Sequence, residues 1–358
     1  MNNKAVIAMS GGVDSSVAAY LMKQRGFDCI GVTMKLFANE DIGISREHSC
    51  CSLDDVEDAR SVAYSLDMPY YVFNFSDRFE TDVIDRFIHA YENGITPNPC
   101  IDCNRYLKFD KLYMRAKELD RDYVVTGHYA RVEKDENGRF LLKKALDDTK
   151  DQSYVLYCLT QEQLSHTIFP LGEMRKSQAR EIAESQGFIN ARKADSQDIC
   201  FVQNGSYADF IEQYTGKNYP DGDFLDTNGN VIGRHKGVIR YTVGQRKGLG
   251  ISAPEPLYVK SVNPISNTVT LSYNDGLYSS VVKAGDINLI SVPEIKGEMR
   301  VKVKVRYRHT EQWATVTQNG DTITAVFDEP QRAVTCGQAL VLYDGDTVVG
   351  GGTIIEVE

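Results

Sequence analysis

Two groups of residues in this 358-residue chain have the types and spacing for chemistry. The first is Ser10-Gly11-Gly12-Val13-Asp14-Ser15-Ser16, close to the N-terminus. Paired glycines let a backbone approach an anion closely, and a helix starting there would point unpaired N–H groups at it. Ser10, Ser15 and Ser16 add hydroxyl donors, while Asp14 is placed to cap the helix or to hold Mg²⁺. The run lacks the lysine of G-x-x-x-x-G-K-[ST] and does not fit G-x-G-x-x-G. On spacing alone, a glycine-rich turn with a serine cap competes with a phosphate loop.

The second group is made of cysteines. Cys100 and Cys103 lie three apart in Asn98-Pro99-Cys100-Ile101-Asp102-Cys103-Asn104, and Cys200 follows Asp195-Ser196-Gln197-Asp198-Ile199. Thiol chemistry needs a thiolate with access to its substrate, which loops and helix N-termini provide. Cys103 is expected just ahead of a helix over Phe109–Leu119, whose dipole would lower its pKa. A Cys103–Cys200 pair requires the fold to bring the two within about 6 Å. A structural zinc would want a fourth ligand, whereas three thiolates suit an iron–sulfur cluster with one open iron. Cys29 and Cys158 sit in apolar patterns and read as core, and adjacent Cys50-Cys51 read as packing rather than as metal ligands.

A third feature concerns charge. Arg300-Val301-Lys302-Val303-Lys304-Val305-Arg306-Tyr307-Arg308 alternates, so a strand would carry five cations on one face, suited to a phosphate backbone. The acid-free run from Arg234 to Lys247 adds Lys236, Arg240 and Arg246, five cations in all. Against both stands the ordinary fate of such charges, a solvated face. Net charge is -10, so the chain as a whole repels a polyanion and RNA affinity has to be local.

These residues need elements to position them. Ala5–Met9 is a short apolar run fit for a strand buried on both faces, and a helical pattern follows the glycines. Further strands are expected at Cys29–Met34, Tyr70–Phe75 and Tyr123–Thr126, with helices at Asp54–Leu66 and Asp77–Tyr91 between them. That alternation predicts a doubly wound α/β sheet. Beyond about Tyr207, Asn228-Gly229, Asn319-Gly320 and Asp344-Gly345 separate β-branched runs, a hairpin pattern. The expected domains are 1–205, 206–275 and 276–358. No apolar run reaches the ~20 residues of a membrane span. Without a signal-like N-terminus, and with eight cysteines in all, the chain reads as cytoplasmic with reduced thiols.

Ser10-Gly11-Gly12-Val13-Asp14-Ser15 after a strand resembles the pyrophosphatase loop (PP-loop) of ATP-dependent adenylating enzymes. Taken with Thr96-Pro97-Asn98-Pro99, Cys103-Asn104, Thr126-Gly127-His128-Tyr129, Lys150-Asp151-Gln152-Ser153-Tyr154, Ile199-Cys200-Phe201, Gly244-Gln245-Arg246-Lys247-Gly248 and Arg306-Tyr307-Arg308, it makes the whole chain resemble the tRNA-specific 2-thiouridylase family (MnmA). The resemblance implies a PP-loop ATP-binding α/β domain, a small central β-rich domain and a C-terminal β-barrel that contacts tRNA. It implies a tRNA-uridine 2-sulfurtransferase that splits ATP to AMP and pyrophosphate with Mg²⁺. Ala8, Met9, Ser10, Gly11, Gly12, Val13, Asp14 and Ser15 would hold the phosphates, and Met34 and Gly127 the adenosine. Cys200 would carry a persulfide from a cysteine desulfurase or sulfur-relay protein, and Cys103 would be the nucleophile that pairs with it. Asn98, Pro99 and Cys100 would border the target base, and His128, Lys150, Asp151, Gln152, Arg306, Tyr307 and Gln338 would touch tRNA.

Two positions depart from the family pattern. Cys100 stands where aspartate is usual, which weakens any acid–base role there and leaves the iron–sulfur alternative on Cys100, Cys103 and Cys200 open. Cys336 stands where proline is usual, a local turn variation. The rivals from other classes are an ATP-dependent amide or amidine ligase and an RNA-binding protein that keeps nucleotide as a structural ligand. Neither uses both the cysteines and the basic strand.

Overall fold

The structure is a computed structural model and describes residues 3–37, 53–195, 199–202 and 206–358. Cys50, Cys51 and Ser196 to Asp198 lie outside the described residues. The first unit is built on β1 (Lys4–Ala8), β2 (Asp28–Lys35), β3 (Tyr70–Asn74) and β4 (Tyr123–Val125). A hairpin of β5 (Arg131–Lys134) and β6 (Phe140–Lys143) follows, and the short β7 (Thr167–Ile168) completes the sheet. Its order is β3-β2-β1-β4-β7 with all pairs parallel, so the doubly wound expectation holds. Residues Ala5, Val6 and Ile7 of β1 are fully buried, as a strand covered on both faces requires. The chain order reverses between β1 and β4, and ligands of such sheets bind in the crevice beyond the strand ends there.

Two helices differ from the sequence reading. The helix expected over Phe109–Leu119 begins ten residues earlier, at Pro99, and runs 99–118 through a π-helical stretch at Cys103–Lys111. Asn98 caps it by accepting from the Cys100 N–H at 3.2 Å, and proline occupies the first helical position, where its missing N–H costs nothing. The helix expected at Asp77–Tyr91 is present over 76–92, again with a π turn, at Glu80–Ile84.

The central unit has β8 (Gly222–Leu225), β9 (Val231–His235), β10 (Tyr258–Asn263) and β11 (Thr268–Ser272), ordered β10-β11-β8-β9. Its helix Tyr207–Thr215 docks on the first unit, with Tyr207 stacked on Tyr91 at 4.3 Å between ring centroids. The last unit comprises β12 (Tyr278–Leu289), β13 (Met299–Lys304), β14 (Gln312–Asn319), β15 (Thr322–Arg332), β16 (Ala339–Asp344) and β17 (Thr347–Val357). A β12–β17 pairing closes these six strands into a barrel. Val301, Val303, Ala314, Val316, Ile323 and Leu342 fill its interior. The β5–β6 hairpin of the first unit extends the same sheet by pairing β6 with β17. The barrel's opposite surface, including Val341 and Tyr343, packs into the core that also holds Leu107, Leu142 and Tyr154. Barrel and α/β unit therefore share apolar packing as well as a sheet.

Candidate active site

The phosphate loop joins β1 to the helix α1 (Val13–Gln24). Gly11 has φ of +73°, and a Cβ there would lie 2.4 Å from the Asp55 carbonyl oxygen, so only glycine fits. The helix cap is Gly12, without a side-chain cap bond, which corrects the expectation of a serine or Asp14 cap. Ser15 and Ser16 instead donate their hydroxyls to the Gly12 carbonyl at 3.0 and 3.1 Å, and the Ser10 N–H donates to Ser15 Oγ. Across the crevice, Gly127 sits so close that a Cβ would come within 2.7 Å of the Asp14 and Ser15 backbone. Met9 is buried, and Ala8 and Met34 pack against the main core.

Three further side chains finish this end; Asn190 and Lys176 were not singled out from the sequence, and Tyr129 entered only as part of a motif, with no role given to it. Asn190 is 2 % exposed and donates to the Gly11 carbonyl at 3.0 Å and to Ser16 Oγ at 2.9 Å. Lys176 Nζ lies 2.7 and 2.8 Å from the two Asp14 carboxylate oxygens and 2.7 Å from Asp195. The Tyr129 hydroxyl donates to Asp14 at 2.9 Å, and burial, followed by Asp14, pushes its phenol far up. Asp195 in turn takes Lys150 at 2.8 Å and Arg180 at 3.1 Å. Burial alone would raise Asp195, but Lys150 and Lys176 outweigh it and hold the carboxyl down at about 2. This chain of charges links the phosphate loop to Lys150 and to the segment leading into Cys200.

At the other end, Cys103 corrects its expected place ahead of a helix: it lies inside one, buried at 8 % exposure. It belongs to the same core cluster against which the half-buried Cys200 packs. Phe201, next to Cys200, is anchored edge-on against Phe79 and Phe87 at 5.7 and 5.1 Å. Arg86 on that same helix reaches Asp102, beside Cys103, at 3.6 Å. The helix 76–92 is thus a common wall for both cysteine segments. Cys100 retains exposed surface, yet the surrounding protein desolvates its thiol and pushes it up, with Lys108 opposing. Asp102 is pushed up to about 6 by burial, against the pull of Arg86 and Arg105. Asn104 donates to the Val155 carbonyl while its Oδ1 is buried without a partner. Cys29 and Cys158 are buried as expected, their thiols raised to about 11 and about 12 by desolvation.

Residues from three parts of the chain meet beside Cys100. The Tyr307 hydroxyl donates to the Asp151 carbonyl at 3.2 Å, and Gln338 donates to the Thr96 and Pro97 carbonyls at 2.9 and 3.2 Å. Arg306 rests on the Arg332 carbonyl. The carbonyl of Cys336 accepts from Thr96, a bond that proline would also make. Asp151 and Gln152 spend their side chains on Ser153, Ala145 and the Tyr129 N–H. His128 is 8 % exposed between Phe109 and Phe169, and burial, then Lys108, holds its imidazole well below the ordinary value. In the free chain it is packed rather than presented.

Both basic stretches need correction. The strand ends at Lys304, so Arg306 and Arg308 lie in the turn beyond it, and Tyr307 is 39 % exposed rather than inward. In the run from Arg234 to Lys247, Arg234 pairs with Asp223, Lys236 with Asp221, and Arg240 with both Asp209 and Glu212. That run is acid-free along the chain but not in space.

Asp14 and Asp195 carry the hard oxygens that Mg²⁺ takes, but Lys176 holds both oxygens of Asp14 and one of Asp195, and Lys150 holds the other. Among the described residues, no three His, Cys, Asp or Glu side chains are grouped to hold a metal ion, so the three cysteines as arranged do not fit a cluster. No helix among the described residues is long and apolar enough to cross a membrane.

Comparison with known proteins covers the whole chain. The family described as "tRNA methyl transferase HUP domain" matches residues 3–204, "tRNA methyl transferase PRC-barrel domain" matches 208–273, and "Aminomethyltransferase beta-barrel domain" matches 279–354. The chain is 52% identical over 356 residues to the tRNA-specific 2-thiouridylase MnmA of Clostridioides difficile (strain 630), covering 99% of this chain and 98% of that one. It is 51% identical over 355 residues to the protein of the same name from Lachnoclostridium phytofermentans, covering 99% of each. Among solved structures, an NMN synthetase from Francisella tularensis aligns at 18% identity over 60% of this chain and 78% of that one. Its TM-score of 0.35 is too low to argue from.

Proposed function

The chain belongs to the tRNA-specific 2-thiouridylase family, and from that membership we propose that it uses ATP to replace O2 of the wobble uridine of tRNA with sulfur. Oxygen at C2 of uracil is a poor leaving group, and transfer of AMP onto it makes it a good one. Ala8 to Ser15 hold the phosphates, Met34 and Gly127 border the adenosine, and the α1 N–H groups face the departing pyrophosphate. Mg²⁺ carried in with ATP would supply further neutralisation of that charge. Lys176 is the cation that keeps both carboxylates in place.

The sulfur end works through Cys200 and Cys103. Cys200 receives a persulfide sulfur from a cysteine desulfurase or sulfur-relay protein. That terminal sulfur attacks C2, the C2–O bond breaks, and AMP leaves with the electron pair. The Cys103 thiolate then attacks Sγ of Cys200, the S–S bond breaks, and sulfur stays on C2 while a Cys103–Cys200 disulfide forms. If Cys103 attacks first, hydrosulfide is released to attack C2, and the same disulfide results. Either order needs an external thiol to reset the pair. The base must leave the anticodon stack to reach both ends. Asn98, Pro99 and Cys100 border it, and His128, Lys150, Asp151, Gln152, Arg306, Tyr307 and Gln338 contact the RNA. This division of labour runs over units 1–205, 206–275 and 276–358, in the cytoplasm.

The observation that supports the reading most is the unbroken chain Asp14–Lys176–Asp195–Lys150, which joins an anion-binding loop to the segments bearing the RNA contacts and Cys200. The test supplies metal-stripped protein with Mg²⁺, ATP, a wobble-uridine tRNA and a persulfide donor. The expected products are 2-thiouridine, AMP and pyrophosphate in equal amounts. Pyrophosphate release without tRNA would identify a small-substrate ligase, and activity restored only by iron and sulfide would move the mechanism to the cluster on Cys100, Cys103 and Cys200.

A further inference from the structure

The chain has a single tryptophan, Trp313, and it stands 48% exposed on the outer face of the barrel. It lies on β14 directly opposite Lys302 on β13. The Arg300 guanidinium and the Lys302 ammonium hang over its ring, 5.3 and 5.5 Å from the centroid. Val326, on the neighbouring strand β15, is 47% exposed. Toward β16 this face is closed: Tyr343, the other cross-strand neighbour of Lys302, is 1% exposed under the first unit. Trp313 therefore sits where the covered face ends and solvent begins.

The charges around the ring are uneven. Asp328 pairs with Arg300, and Glu311 pairs with Lys144, so those two cations are neutralised. Lys302 and Lys304 have no ion-pair partner among the described residues. Their strand leads directly to Arg306 and Tyr307, and Tyr307 reaches Asp151 at the rim of the candidate site. Successive outward residues on a strand stand about 6.6 Å apart, so Lys302 and Lys304 form a cationic track from the rim to the tryptophan. An exposed aromatic face beside uncompensated cations is the arrangement that binds single-stranded nucleic acid: the ring takes a base and the cations take phosphates. A solvated strand face would need the lysines but not the tryptophan. A protein-docking patch would not favour two unpaired lysines at its centre.

We propose that Trp313 is a stacking platform for an unpaired base of the RNA substrate, with Lys302 and Lys304 on the adjoining phosphates. This rests on the tRNA reading above and extends the RNA contact surface beyond Arg306 and Tyr307. In the free chain the cations cover the ring, and on binding they exchange it for phosphate.

Because Trp313 is the sole tryptophan, its fluorescence reports on this position in the unaltered protein. Titration with a wobble-uridine tRNA should quench the emission and cut acrylamide quenching of the bound form at least threefold. Trp313→Ala should weaken tRNA binding about tenfold, the size of one stacked base, while Trp313→Phe stays within about threefold of the original. ATP binding should be unchanged in both variants. If tRNA binds, seen by filter retention, but leaves emission and acrylamide access unaltered, the platform is refuted while the thiolase reading stands. If tRNA does not bind at all, that reading fails first. Protection of Trp313 by a persulfide-carrying protein but not by tRNA would overturn the RNA assignment.

Discussion

Two aspartates mark the contrast between the two ends of the site. Asp195, at the phosphate end, is held at about 2 because Lys150 and Lys176 overcome its burial. Asp102, at the thiol end, is pushed up to about 6 because Arg86 and Arg105 do not. The same difference recurs around them. The phosphate loop is braced by Asn190, Tyr129 and its own serines. The thiol end has the Cys100 thiol, pushed up by desolvation, while a buried amide oxygen without a partner occurs at both ends, on Asn104 and on Asn190. An anion site gains from fixed dipoles that need no reorganisation as charge develops. The two ends therefore differ in charge compensation: lysines outweigh burial at Asp195, whereas burial outweighs the arginines at Asp102.

The largest expected effects test whether the ends act separately. Cys200→Ser and Cys103→Ser should each lower 2-thiouridine formation by at least about 10³-fold, while the rate of tRNA-dependent pyrophosphate release in a single turnover stays within about threefold. Thiolation surviving in either variant would remove that cysteine from the mechanism. Asp14→Ala should do the converse. Pyrophosphate release should fall about 10²-fold, on the scale of losing one preorganised electrostatic contact, while Cys200 still accepts a persulfide. If persulfide loading falls in step, the two ends are one coupled unit and the contrast drawn from Asp195 and Asp102 is misplaced.

What was legible in the sequence follows the distance over which each feature is encoded. The phosphate loop was legible because its glycines and serines are contiguous with the strand and helix they join. Its braces were not, since Asn190 bonds a residue 179 positions away, Lys176 one 162 away and Tyr129 one 115 away. The start of the Cys103 helix was written locally, in Asn98 as cap and Pro99 at the first position, yet read as loop because those residue types also make turns. The two basic stretches looked alike along the chain, and only the fold brings Asp209, Glu212, Asp221 and Asp223 onto the first of them. Fold class was the easier inference because hydrophobic alternation is repeated over many residues, whereas the exposure of Trp313 depends on where the first unit stops covering the barrel.

The smallest expected effect sharpens the contrast most directly, because the two aspartates should give stability slopes of opposite sign. For Asp195 the folded pKa of about 2 lies below the unfolded value of about 3.9. Its contribution is full above the unfolded value and is lost as pH falls toward 2. For Asp102 the folded value of about 6 lies above the unfolded one, so the fold binds the extra proton. Stability from this group is greatest below about pH 4, declines as pH rises to about 6, and stays low above that. Each shift corresponds to roughly 1–2 kcal/mol once partial exposure is discounted. Asp102→Asn should therefore raise stability to urea at pH 7.5 by about 1 kcal/mol and leave it unchanged at pH 4, removing the descent between. Asp195→Asn should lower stability at pH 7.5 by a similar amount, because Lys150 and Lys176 lose their shared carboxylate. Urea melts of the two variants and the parent at pH 2.5, 4, 6 and 7.5 decide it, the lowest pair reading Asp195 and the upper three Asp102. Slopes of the same sign would mean that Arg86 and Arg105 satisfy Asp102 as fully as the lysines satisfy Asp195, and that the thiol end is as complete as the phosphate end before its substrates arrive.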